Sequence, residues 1–357
     1  MKIAILGGGH GAYAAAADLS ENGHEVRLWR RDAEALKPVQ QTGSIVLKDA
    51  TGAREVPIAL ATGDIAAALR GAELILLPTP ATAQLDIAAA MAPHLVDGQV
   101  VFLAPGTFGS YVMARQVQAT GNRADVAWAE TGTLPYLARK HGEREVNVTI
   151  RAVRLPTGVY PERLSSSAIE VIRRAYPSVH GCGDALSGAL MNAGPIIHPP
   201  LMVMNAAPLQ HFERWDIHNE GTQRAVRDVT DRLDQERMAI RMALGHGAPH
   251  YPLADHYNND QWMYGDAHKK LVKSGDWRET IDLYAHRYIT EDVELGLAFL
   301  ASAARFAGVD APLAHGILAV VGGFLGRDLR AGARTLESLG LATLTPAELK
   351  QRLHDGA

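Results

Sequence analysis

The chain has 357 residues, 47% hydrophobic and 21% charged, with a formal net charge of −4 and a single cysteine, Cys182. That length exceeds one compact core and predicts two domains of ordinary globular composition. The charge offers no field for nucleic acid and no apolar run is long enough for a membrane span. One cysteine excludes an intrachain disulfide, so a protein of the reducing cytoplasm is expected.

Lys2 to Leu6 is a short apolar run that reads as a buried strand, too brief and too quickly followed by glycines for a secretory signal. Gly7-Gly8-Gly9-His10-Gly11-Ala12 follows, then an alanine-rich helix from Tyr13 to Asn22 and a second strand, Glu25 to Trp29. Strand, glycine turn, helix and strand within about thirty residues form the context in which G-x-G-x-x-G/A signals a dinucleotide site. Gly7 suits the tight turn, Gly9 the approach of a pyrophosphate, and Ala12 close packing of helix on strand. The helix N-terminus, with His10 and Gly11 in its first turn, faces the anion. Arg30 and Arg31 stand at the end of the second strand, where an NAD site carries an acid. Guanidinium groups there favour a 2′-phosphate, so NADP, with NADPH preferred over NADH, is the expected cofactor. Asp32 sits where it would cap the next helix.

Further along, Ser44–Lys48 and Arg54–Leu60 read as a hairpin inserted into the sheet. Glu73–Leu77 and Gln99–Leu103 are strands ending at Pro78-Thr79-Pro80 and Ala104-Pro105-Gly106-Thr107, with another near Val126–Ala129. Alternation of strand and helix predicts a Rossmann-type doubly wound parallel sheet, with its ligand at the carboxyl ends of the strands. Pro80, Pro105 and Glu130-Thr131 should therefore line the cofactor cleft. Glu145–Arg154 is a further strand, and strand signals stop near Gly181-Cys182-Gly183. From Asp184 the pattern is helical, best seen in Val226, Val229, Leu233, Ile240 and Leu244. The expected architecture is an α/β dinucleotide-binding domain, 1–183, and an all-helical domain, 184–357, that carries substrate and catalysis, with the cleft between them.

Two stretches of the helical part offer chemistry. In Asn192 to Leu201, His198 lies among apolar residues before Pro199-Pro200, and Pro199 can open a new helical turn with His198 at its start. In His286 to Val293, Thr290 reads as an N-cap and Asp292 as the one charge on a stripe with Tyr288, Leu295 and Phe299. Glu291 reads as a surface acid that stabilises the helix dipole, and Arg287 as an extended residue before the cap. His246, His250 and His256 lie near Asp255, but Gly247, Pro249 and Pro252 deny them a regular helix, and no metal is expected.

Gly7-x-Gly9-x-x-Ala12, Asn192…His198-Pro199…Asn205-Ala206-Ala207, Arg287-Tyr288-x-x-Glu291-Asp292-Val293…Gly296-Leu297 and Arg334-Thr335-Leu336-Glu337-x-Leu339-Gly340-Leu341 together resemble the octopine/nopaline dehydrogenase family, the opine dehydrogenases, over nearly the whole chain. The resemblance implies reductive condensation of an amino acid or amine with a 2-oxo acid. It implies catalytic roles for His198 and Asp292, a substrate-carboxylate role for Arg287 and a substrate-binding role for Asn192; a homodimer is a candidate assembly. Two other readings compete: a dehydrogenase of a small hydroxy acid, which would use a lysine such as Lys269 or Lys270, and a non-catalytic NADP sensor.

Overall fold

The computed structural model describes residues 1–356. Its first compact unit comprises residues 1–189 with 354–356, and its second residues 190–353. The first unit runs past the division expected at Gly183, because Val179–Asp184 is still a sheet strand and the short helix Ala185–Ala189 packs back on that sheet.

In chain order the first unit contains strands β1 (Lys2–Leu6), β2 (Glu25–Trp29), β3 (Ser44–Asp49), β4 (Gly52–Pro57), β5 (Leu60–Thr62) and β6 (Leu74–Leu77). It continues with β7 (Val100–Leu103), β8 (Ala127–Thr131), β9 (Tyr136–His141), β10 (Glu145–Arg151), β11 (Leu155–Tyr160) and β12 (Val179–Asp184). Eight form one sheet in the order β12-β11-β8-β7-β6-β1-β2-β5, parallel throughout except where β11 meets β8. Every residue of β6 and β7 is buried, as strands covered on both faces require. The chain leaves β1 toward β2 on one side and returns to β6 on the other. That reversal of winding is the switch point at which such sheets bind ligands. Helix α1 (His10–Glu21) lies against the sheet through Ala12 and Ala14–Ala17, all wholly buried.

The hairpin expected inside this sheet instead builds a second one, of order β4-β3-β10-β9. Ile45, Leu47, Val56, Val146 and Val148 turn inward, and the small sheet packs on α1. Only β5 joins the wound sheet, beside β2.

The second unit is helical apart from a two-residue ribbon, Trp215–Asp216 with Arg278–Glu279. Its long helix, Arg224–Ala243, buries Val226, Leu233 and Ile240. From the same helix Glu236 accepts from the Leu313 and Ala314 amides, capping helix Pro312–Leu325. No helix among the described residues is long and apolar enough to cross a membrane.

Candidate active site

At the switch point Gly7 adopts φ +149°, and a Cβ there would stand 3.0 Å from Thr79 Cγ2 and 3.4 Å from the Ala12 Cβ. A side chain is thus excluded by conformation and by space. Gly9 differs: nothing lies within 4 Å of where its Cβ would be, and it stands at the N-cap of α1 with no side-chain cap. Open backbone at a helix N-terminus is what a pyrophosphate needs, so the turn fits a dinucleotide. Gly11 packs close to Leu134 and Pro78, and His10 Nδ1 accepts from the Lys140 amide at 2.8 Å. Pro80 and Pro105 follow the carboxyl ends of β6 and β7.

The two arginines after β2 part company. Arg30 lies over Gly8 so closely that a Cβ there would overlap its Cδ and Nε, while its Nη1 donates to Ala35 O at 3.3 Å. Arg31 points out to Asp86 at 3.5 Å, with both side chains mostly exposed. Asp32 accepts from the Ala35 amide, as expected of a capping acid. Glu130, expected in the cleft, is instead wholly buried and takes the Phe108 and Ser110 amides and the Ser110 hydroxyl at the start of helix Gly109–Ala119. Thr131 is buried too, its hydroxyl donating to Pro156 O.

In the second unit, helix Gly194–Met204 packs on a π-helical segment, Tyr288–Leu297. Two glycines bring them together: a Cβ on Gly194 would overlap Asp292 Oδ1, and one on Gly296 would overlap Pro195 Cγ. At this contact His198 Nδ1 and Asp292 Oδ2 stand 2.7 Å apart, with 14% and 4% of the side chains exposed. Tyr288 stacks on the His198 ring at 3.6 Å and 11°, and its hydroxyl meets His218 Nε2 at 2.9 Å. His218 packs edge-on to Trp277. Burial pushes the Asp292 carboxyl up to about 7, with the Arg287 guanidinium pulling it down.

His198 does not open a helical turn as expected. The helix already begins at Gly194, with the Ile197 amide bonded to Ala193 O, and it continues through Pro199 and Pro200. Asn192 is buried and its Oδ1 accepts from the Gly194 amide, fixing that helix start. The second expectation also shifts. The helix starts at Tyr288 and not after Thr290, so Arg287 is helical (φ −56°, ψ −26°) and not extended. Glu291 is buried, not a surface acid, and its Oε2 lies 3.5 Å from Arg287 Nε. A π turn holds more residues than an α turn, which lets adjacent Glu291 and Asp292 both face inward.

Tyr288 had a place on the apolar stripe but no chemical signal in the sequence; His218 and Trp277 had none. Lys269 and Lys270 are exposed. Burial holds His246 at about 4 and His256 at about 3, so both imidazoles are neutral near pH 7.

A model of the alpha-helical domain of NAD/NADP octopine/nopaline dehydrogenases matches residues 181–325, and one of the N-terminus of NAD-dependent glycerol-3-phosphate dehydrogenase matches residues 2–115. The opine dehydrogenase of Arthrobacter sp. (strain 1C) is 29% identical over 356 residues, 97% of each chain. Among solved structures, octopine dehydrogenase in complex with NADH and agmatine superposes with a TM-score of 0.69 at 18% identity, covering 99% of this chain and 98% of that one. Yersinopine dehydrogenase bound to NADP+ gives 0.63, also at 18%, covering 99% and 98%.

Proposed function

Because the chain belongs to the octopine/nopaline dehydrogenase family and is an NAD(P)-dependent oxidoreductase acting on CH–NH donors, we propose that it reduces the imine of an amino acid or amine and a 2-oxo acid to an N-(1-carboxyalkyl) amino acid, and oxidises that product in reverse. The observation that carries this reading is the His198–Asp292 pair, 2.7 Å apart. Condensation requires the amine to lose a proton and the carbinolamine hydroxyl to gain one as it leaves as water. An imidazole does both in turn. Asp292, bonded to Nδ1, fixes the ring and leaves Nε2 to exchange protons with substrate. The stacked Tyr288 ring holds the imidazole plane from one side. Arg287 holds the oxo-acid carboxylate, its exposed fork turned to substrate while Glu291 steadies Nε. Asn192 sits beside the dyad, two residues before the glycine that touches Asp292.

Gly7, Gly9, His10, Gly11 and Ala12, with Pro80 and Pro105, hold the dinucleotide, which supplies the hydride when bound. Arg30 gives the site its preference for NADPH, since it crosses Gly8 where an NAD site carries an acid, and the nearby Asp32 is drawn onto its guanidinium at 3.6 Å. Arg30→Asp should cut the preference for NADPH over NADH by roughly ten- to a hundredfold, the worth of a charged hydrogen bond. Incubation with NADPH, pyruvate and a panel of amino acids and amines tests the function. Amine-dependent NADPH oxidation is expected. Oxidation with a keto acid alone, or tight NADPH binding with no turnover on any pair, would overturn the reading.

A further inference from the structure

Arg30 is not the only cation brought to the glycine turn. Strand β9 crosses α1 there, and the Lys140 amide donates to His10 Nδ1 at 2.8 Å, fixing the strand against the first residue of that helix. The Lys140 side chain lies over the Tyr13 ring, its Nζ 3.9 Å from the centroid. Arg30, lying over Gly8, stands close to the same tyrosine: burial raises the Tyr13 hydroxyl and the Arg30 guanidinium pulls it back. From this convergence we propose that Lys140 is the second ligand of the NADP 2′-phosphate, closing with Arg30 a site that draws one cation from each sheet of the unit. The proposal rests on the NADPH reading given above.

Like charges are not gathered in a half-buried place without cost. Burial first, and the charge of Arg30 second, hold the Lys140 ammonium below the ordinary lysine value, with Glu143 opposing them. No described carboxylate stands within ion-pair distance of Lys140 Nζ; of the two cations, Asp32 reaches Arg30 alone, at 3.6 Å. A phosphate dianion shared by both cations removes that repulsion and satisfies both sets of donors. Tyr13 contributes position, because its ring carries the lysine stem and aims the ammonium by a cation–π contact.

Lys140→Met keeps an unbranched stem on the Tyr13 ring and removes only the charge. Dissociation constants of wild type, Lys140→Met and Lys140→Arg for 2′,5′-ADP and 5′-AMP, measured by calorimetry, test the assignment, with NADPH and NADH titrated in parallel. Lys140→Met should weaken 2′,5′-ADP and NADPH by about tenfold, leave 5′-AMP and NADH unchanged, and be largely rescued in Lys140→Arg. If wild type prefers 2′,5′-ADP and Lys140→Met keeps that preference, or loses both ligands equally, Lys140 is overturned and the cofactor reading stands. If wild type binds 2′,5′-ADP no better than 5′-AMP, both fall. Thermal midpoints identify a variant that has merely failed to fold, and the lysine-to-arginine variant then decides by its own selectivity.

Discussion

Burial pushes the Asp292 carboxyl up to about 7, and only the Arg287 charge pulls against it. With His198 Nδ1 at 2.7 Å, that carboxyl changes charge near neutrality beside the imidazole it orients. His198→Ala should lower kcat by roughly 10²–10⁴-fold with dinucleotide binding intact. Asp292→Asn still accepts from Nδ1 but no longer stabilises imidazolium, so kcat should fall severely. The double variant should be little worse than the worse single, because residues acting as a unit are not additive; losses that multiply would mean two independent groups. The same carboxylate carries a stability cost. Between its ordinary value of 3.8 and about 7 the folded chain holds a proton that the unfolded chain releases. Stability therefore falls as pH rises through that window and stays reduced above it. Asp292→Asn removes this cost, so the variant should melt above wild type at about pH 8 and lose the advantage near about pH 4, by thermal melts at each pH. A variant that melts lower at both would mean that the ionised pair stabilises the fold. The residue scale also explains why two adjacent arginines read alike in sequence. The strand ends at Trp29 and the chain bends at Arg31, so Arg30 lies over Gly8 while Arg31 turns out to Asp86.

The π segment Tyr288–Leu297 shows what a periodicity of 3.6 misses at the level of an element. Thr290 followed by two acids is a sound α-helical start in local terms, yet packing against helix Gly194–Met204 winds the chain wider and begins it earlier. The glycine turn, by contrast, was legible because its chemistry is local: the residues that close the turn are the ones that would meet the phosphate. The pairing of His198 with Asp292 was legible through the family resemblance and through an acid set on an apolar stripe. Strand β9 escaped notice, since Tyr136-Leu137-Ala138-Arg139-Lys140-His141 has no β-branched residue. It is held by its pairing with β10 and by its seat on α1. The helix–π contact predicts opposite outcomes for one substitution at two sites. Gly296→Ala would drive a methyl into Pro195 and should cost about 1–3 kcal/mol, with reduced kcat, because Pro195 belongs to the helix that carries His198. Gly323→Ala, in helix Pro312–Leu325, meets nothing within 4 Å and should gain up to about 1 kcal/mol from helix propensity. Denaturant melts of both variants and kcat of the first check this; equal effects would refute the close contact.

On the scale of the whole molecule, the chain completes its first unit only with its last described residues. Gln118 Nε2 donates to Gly356 O at 3.4 Å and Arg163 Nε to Asp355 O at 3.3 Å, and Gly356, at φ +85°, leaves no room for a Cβ beside Pro161. Ending the chain after Leu353 should cost the first unit about 1 kcal/mol, or about 2–4 °C in its melting midpoint. Saturating dinucleotide should raise the midpoints of full-length and truncated chains by similar amounts. A truncated chain that melts unchanged would show that the tail is a passenger. Residues 190–353 are thus a loop pinned at both ends, a guest inserted in its host. If the guest alone unfolded, keeping both ends pinned would restrict a loop of about 160 residues, and rings of that size cost roughly 5 kcal/mol in chain entropy. Two long hydrogen bonds cannot hold such a ring shut, so the clasp should spring open first. It then works as a fuse, giving way before the sheet it closes.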